Sequence, residues 1–163
     1  MRYRITVIPL LFAVASFAAE LNVDSGPANA NDAATLNVHL TSGPDSLTGI
    51  QFDLEYDATV FNVSVGNGPA AETAGKVLQT AVLGAGKQRI LIVGFNQNSL
   101  PDGILAILYV SLKDVSLKDQ NQKAETDPIR LTSPAGTNGR AESVAVTLRD
   151  ASVKVRFGRN PTR

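Results

Sequence analysis

Apolar and polar residues alternate along much of this chain, most regularly in GIQFDLEYDATVF at Gly49–Phe61. Ile50, Phe52, Leu54 and Tyr56 fall on one side, and Gln51, Asp53 and Glu55 on the other. A period of two predicts a half-buried strand with one wet, mostly acidic face. The pattern stops at Tyr56-Asp57 and resumes with Val60 and Phe61. Other segments follow the same rule. Leu21 and Val23 open a strand in ELNVDSG, and ATLNVHLTS sends Leu36, Val38 and Leu40 inward with Asn37 and His39 outward. KVLQTAVL, QRILIVGF and GILAILYVSLK read as three more strands, separated by the turn Gly84–Gly86 and the loop Asn96–Gly103. The Gly/Ala/Pro-rich stretch Gly66–Gly75 reads as a loop. Turn signals recur every 8–12 residues or so and no segment carries a helical stripe, which predicts an all-β sandwich of two antiparallel sheets.

The pattern weakens towards the end. Asp114–Pro128 is polar and charged and reads as an exposed loop. Ile129-Arg130-Leu131, Ser143–Leu148 and Ala151–Val155 give three short strands, with Asn138-Gly139 as a tight turn between the first two. The domain is expected to end at Phe157, leaving a loose basic tail at Gly158–Arg163.

Two strands are apolar on both sides. GILAILYVSLK puts Ile104, Ala106, Leu108, Val110 and Leu112 in one row, the expected core row, and Leu105, Ile107, Tyr109, Ser111 and Lys113 in the other. QRILIVGF sets Leu91, Val93 and Phe95 against Ile90 and Ile92. A two-layer sandwich has no third layer to cover a second apolar row, so such strands expose a sticky patch unless something folds over it. The expected site is a protein-binding patch of Leu91, Val93, Ile107 and Tyr109, ringed by Gln51, Asp53 and Gln97. The alternatives are that the Asp114–Pro128 loop covers this face, or that a bulge at Gly94 shifts the register.

The first 18 residues read as a leader for export. Arg2 and Arg4 make a positive start, Val7 to Val14 is apolar apart from Pro9, and Ser16-Phe17-Ala18 places small residues before a cut after Ala18. The apolar run is too short to span a bilayer, which takes about 20 residues. The expected product is therefore a secreted domain, residues 19–157. Of 15 basic residues, Arg2 and Arg4 leave with the leader, so 13 face 15 acidic ones and the net charge is near −2. That is no footprint for nucleic acid or an anionic membrane surface. Cysteine is absent, which excludes disulfides, thiolate metal sites and a cysteine nucleophile.

From Ala19 to Val155 the order of these phrases resembles the cohesin family. The residues that carry it are LNVDSG followed by AATLNVHL, the strand ending in Tyr56-Asp57, the pair Val60 and Phe61, the run Phe95-Asn96-Gln97-Asn98-Ser99, the Gly-led strand Gly103–Lys113 and the closing ASVKV. The resemblance implies a nine-stranded jelly-roll sandwich, secreted and non-catalytic, linked to polysaccharide degradation. It would dock a dockerin-like protein, with calcium on the partner's side, and need no cofactor of its own. The docking face would use the strand before Tyr-Asp, the strand ending in Phe-x-x-x-Ser and the Gly-led strand, which brings Gly49, Gln51, Asp53 and Gln97 into the site. The chain departs from the family at Ala58, where proline is usual, and at Phe61, where leucine is. Gly49 and Gln51 stand where type I cohesins usually carry asparagine and aspartate, and Gln97 where an acid is common. These changes imply either a partner other than a standard type I dockerin or a weaker contact with one.

Catalysis and metal binding have little support. His39 is the one histidine and reads as a solvated surface residue. Asp53 and Glu55 would lie about 7 Å apart on one strand face, which reads as a solvated acidic strip. Asp24, Asn29, Asn31 and Asp32 lack EF-hand spacing, so no metal site is assigned. The rival is direct carbohydrate binding, which needs a row of exposed rings. Tryptophan is absent, and only Tyr109 and Phe95 are expected outside the core. A third reading is a module that packs within an envelope or surface assembly.

Overall fold

A computed structural model of the chain describes residues 18–24, 33–113 and 129–153. The expected leader up to residue 17, Asn29, Asn31, Asp32, the expected loop at 114–128 and the expected tail lie outside the described residues. Among the described residues the strands are β1 (Ala19–Asp24), β2 (Ala33–Thr41), β3 (Gly49–Glu55), β4 (Phe61–Asn67), β5 (Val77–Gly84), β6 (Lys87–Val93), β7 (Gly103–Leu112), β8 (Ile129–Thr137), β9 (Ser143–Val144), β10 (Val146–Leu148) and β11 (Ser152–Val153), with one short helix, α1 (Pro69–Thr73). Two sheets form. The first runs β10-β1-β2-β7-β4, and the second runs β11-β8-β3-β6-β5 with β9 added on β8. Every neighbouring pair is antiparallel except β1 with β10, which is parallel. The strand expected at Ser143–Leu148 is two pieces, because the chain changes sheet there: β9 pairs with β8 and β10 with β1.

β3 lies in the middle of the second sheet, and its alternation is obeyed. Ile50, Phe52 and Leu54 are all but fully buried and meet Leu36, Val38 and Leu108 of the first sheet within one core. The strand ends at a corner built by Asp57, whose carboxylate accepts from the backbone N–H of Thr59 at 2.7 Å and from its hydroxyl at 2.6 Å. The Asp57 carbonyl accepts from the N–H groups of Val60 and Phe61, so the chain leaves one sheet and enters the other as β4. The β5–β6 hairpin closes under the same corner. Gly86 has φ +70, and a side chain there would strike the Tyr56 backbone, so only glycine fits.

Three local expectations are corrected. Part of Gly66–Gly75 is helical: Pro69 opens α1, and Ala70, Ala71 and Ala74 are buried, a stripe too short and too small to register as a period. In β7 the inward residue near the start is Leu105, not Ile104. The register with β2 shifts between Val38 and His39, and that bulge turns Leu105 into the core beside Ala106. β8 is longer than the three residues expected, because it bulges past Phe52 at Ser133 (φ 51) and Pro134, then continues to Thr137.

Phe52 sits at the centre of the core with no exposed surface. Phe52→Ala should lower the unfolding free energy by about 3–5 kcal/mol, read from the midpoint shift in a urea titration. A loss under about 1 kcal/mol would place Phe52 outside the core.

Candidate protein-docking face

The outer side of the second sheet is set by what β3 and its neighbours send inward. With Ile50, Phe52, Leu54, Ile90, Ile92 and Leu131 in the core, the residues between them point out. Strand register then lines these up in rows across the sheet. Gly49 lies between Thr137 and Val93, and Val93 pairs with Val77. The next row is Ala135, Gln51, Leu91 and Gln79, followed by Thr132, Asp53, Arg89 and Ala81. The last is Arg130, Glu55, Lys87 and Gly84. The face is therefore graded. It is apolar at the Val93 end, neutral and amide-rich in the middle, and charged at the Lys87 end.

Leu91 and Val93 are half-buried within the face, while Val77 is exposed at its edge. A Cβ at Gly49 would crowd Thr137 Oγ1 at 3.0 Å and touch Val93 at 3.4 Å. Past Val93 the chain turns at Gly94 and leaves Phe95 wholly in solvent. That loop is pinned from behind: buried Lys76 donates from Nζ to the Asn96 carbonyl at 2.9 Å, and the Asn96 side-chain amide donates to the Gly75 carbonyl at 3.0 Å. Burial pushes the Lys76 ammonium below its ordinary pKa, the cost of anchoring with a cation that meets a carbonyl and no carboxylate.

At the charged end, Arg89 holds Asp53 with two bonds, Nε to Oδ1 at 2.8 Å and Nη2 to Oδ2 at 3.1 Å. Lys87 reaches Glu55 at 2.6 Å, and the Thr132 hydroxyl donates to the same oxygen at 3.1 Å. The hydrogen bond from Arg89 is the largest influence on Asp53 and holds its carboxyl below the usual range against the opposing effect of burial. Lys87 and Thr132 do the same for Glu55. Asp53 was expected as an open rim acid. It faces outward but is buried under this cover, so its carboxylate is already used. The acidic strip is a pair of internal ion pairs.

The expected patch is not one patch. Leu91 and Val93 belong to β6 in the second sheet, whereas Ile107 and Tyr109 belong to β7 in the first, on the opposite outer side of the sandwich. Alternation along a strand gives its inside and outside but not the sheet it joins. The Gly-led strand that the resemblance placed on the docking face is likewise in the other sheet. Gly49, Gln51, Asp53, Leu91 and Val93 do share a face, and Gln97 lies at its end, next to Gly139 and Thr48. Tyr109 stands half in solvent on the first sheet, its ring lying over Gly66. On that sheet His39 bonds Asp24 at 2.9 Å, with Asp24 also accepting from the Asn37 N–H at 3.0 Å. Burial would raise the Asp24 pKa, but the His39 and Asn37 bonds outweigh it and the carboxyl is lowered. Residues of this outer face that patterning missed are Val77, Gln79, Lys87, Arg89 and, at its end, Phe95. The stretch VLQTAVL held the signal for the first two, as an uncharged strand with apolar residues at both ends.

A model of the cohesin domain matches residues 19–155. A search of curated proteins finds no match. Among solved structures the chain is similar to the sixth cohesin of scaffoldin B from Acetivibrio cellulolyticus, solved in complex with a dockerin. The TM-score is 0.68 at 16% identity, covering 86% of this chain and 100% of that one. A type I cohesin–dockerin complex from Clostridium thermocellum gives TM-score 0.68 at 16% identity, covering 90% and 99%. A non-cellulosomal cohesin from the archaeon Archaeoglobus fulgidus gives 0.58 at 15%, covering 81% and 87%.

Asp53 and Glu55 are both depressed in the folded state from ordinary values of 3.8 and 4.5, so the stability they add is full above those values and is lost as pH falls through the folded ones. Arg89→Met should lower the melting temperature most at about pH 6, and the gap to wild type should narrow progressively as the pH falls below 3.8. Melts followed by circular dichroism across that range test it. A gap that stays constant with pH would contradict the role given to the Arg89–Asp53 pair.

Proposed function

We propose that this chain, which belongs to the cohesin family, is a non-catalytic module that docks a dockerin-type protein on the outer face of β8-β3-β6-β5. The observation that carries this is the graded row on β6. Val93 and Leu91 offer apolar area in the plane of the sheet, Gln51 and Gln79 flank them with amide groups, and Arg130 supplies a cation at the end that holds the Lys87–Glu55 pair. Interfaces of moderate size draw affinity from such a partly buried apolar centre and take register from the polar groups around it. An elongated partner, apolar at one end and acidic at the other, would lie along the gradient in one direction. The solved complexes of Acetivibrio cellulolyticus and Clostridium thermocellum cohesins with dockerins support a partner of this class.

The partner would bring the calcium, and the leader at residues 1–18 would export the chain to the medium or cell surface, in the service of polysaccharide breakdown. Direct sugar binding is disfavoured by the placement of the rings. Of the aromatic residues, Phe95 and Tyr109 are the two large exposed ones among the described residues. Phe95 follows β6 in the second sheet and Tyr109 lies on β7 in the first, so they cannot line up under one polysaccharide chain.

The test is titration of calcium-loaded dockerin modules into wild type and two variants by calorimetry. Leu91→Asp should weaken binding about 30-fold or more, as loss of a central contact does. Tyr109→Asp, on the opposite side, should change it by less than about threefold. Both variants should melt within a few degrees of wild type, since neither side chain is in the core. Loss of binding in Tyr109→Asp with retention in Leu91→Asp would move the site to the first sheet.

A further inference from the structure

β5 is the last strand of the second sheet. One of its edges pairs with β6, and among the described residues no strand pairs with the other. Edge strands of monomers are usually protected by lysine, proline, short length or an inward charge. This one is eight residues long and, from Val77 to Gly84, holds no charged residue and no proline. Leu78 is half-buried against the core, and the other side chains stay in solvent, with Val77 59%, Val82 80% and Leu83 46% exposed.

We propose that β5 pairs antiparallel with β5 of a second copy of this chain, about a two-fold axis through Thr80. The geometry leaves few choices. Opposed residues in an antiparallel pair point to the same side of the sheet, so a two-fold axis must pass through a residue and not between two. With the axis at Thr80, Val77 opposes Leu83, Leu78 opposes Val82, Gln79 opposes Ala81, and Thr80 meets its own copy. Apolar side chains thus meet apolar side chains on both sides of the sheet. An axis at Gln79 would set Lys76 against Val82 and Leu78 against Thr80, and one at Ala81 would set Leu83 against Gln79 and Val82 against Thr80. The strand reads V-L-Q-T-A-V-L, and only its centre makes it match itself. The register with β6 shifts between Val82 and Gly84, so Leu83 sits at a bulge and ends the pairing there.

The consequence bears on docking, although the pairing does not depend on it. A two-fold axis perpendicular to the sheet keeps both outer faces on the same side. The second sheets of two copies would become one continuous sheet carrying two docking faces side by side.

The chain has no cysteine, so single cysteines report the register directly. Thr80→Cys places two sulfurs across directly opposed residues, about 4.5–5.5 Å apart at Cα, within disulfide reach. Leu78→Cys places its two copies four residues apart along the strands, about 13 Å, which is out of reach. Mild oxidation of the purified protein should yield covalent dimers of Thr80→Cys and leave Leu78→Cys monomeric. In sedimentation, wild type should shift to dimer with rising concentration, while Thr80→Lys, which opposes two cations at the axis, should stay monomeric with an unchanged melting temperature. Equal cross-linking at both positions, cross-linking at neither, or a wild type that stays monomeric at about 1 mM would overturn the pairing. Because dockerin titration of Thr80→Lys reads the neighbouring face separately, failure of the pairing and failure of the docking role are distinguishable.

Discussion

The packing of Ile50, Phe52 and Leu54 against the first sheet is the interaction on which the rest of the molecule depends. β3 is the middle strand of its sheet, and these three side chains have almost no exposed surface. Since side chains alternate, burying this row commits Gly49, Gln51, Asp53 and Glu55 to the outside, and a slip of one residue would reverse every one of them. Pairing then carries that choice to β6, β5 and β8 through the observed registers. A chain without disulfides must hold this alignment by apolar packing, and the core of this one runs through both sheets.

Once the rows are fixed, the outer face acquires its character from cross-strand partners. Arg89 opposes Asp53 and Lys87 opposes Glu55, so the two acids are neutralised within the sheet and hydrogen-bonded by its own cations. Arg130 then adds a cation to a strip whose acids are taken. At the other end, Val93 and Leu91 have no charged neighbours across the strand. A surface of this kind offers apolar area to a partner without presenting bare carboxylates. In this chain the positions of Gly49 and Gln51 carry no acid either, so the face presents shape, amides and cations.

The inside of the sandwich was legible in the sequence because it depends only on local alternation. Leu36, Val38, Leu40, Phe52, Ile90, Ile92 and Leu108 are buried as their spacing implies. What the spacing does not contain is which strand lies beside which. Leu91 and Tyr109 look alike along the chain, each outward on a doubly apolar strand, yet strand order sends them to opposite sides. Leu105 enters the core through a bulge opposite β2, and Asp53 is buried by an arginine 36 residues away. Both outcomes are set by a neighbour distant in sequence. α1 escaped notice for a different reason: buried alanines over five residues show no stripe to read.

The most direct test of this account is hydrogen exchange on the protein with and without a calcium-loaded dockerin that it binds. The docking role on the β8-β3-β6-β5 face predicts added protection in β3, β5 and β6 and in the loop carrying Phe95, with β2 and β7 unchanged. Protection centred on β7 around Ile107 and Tyr109, with β6 unaffected, would contradict it.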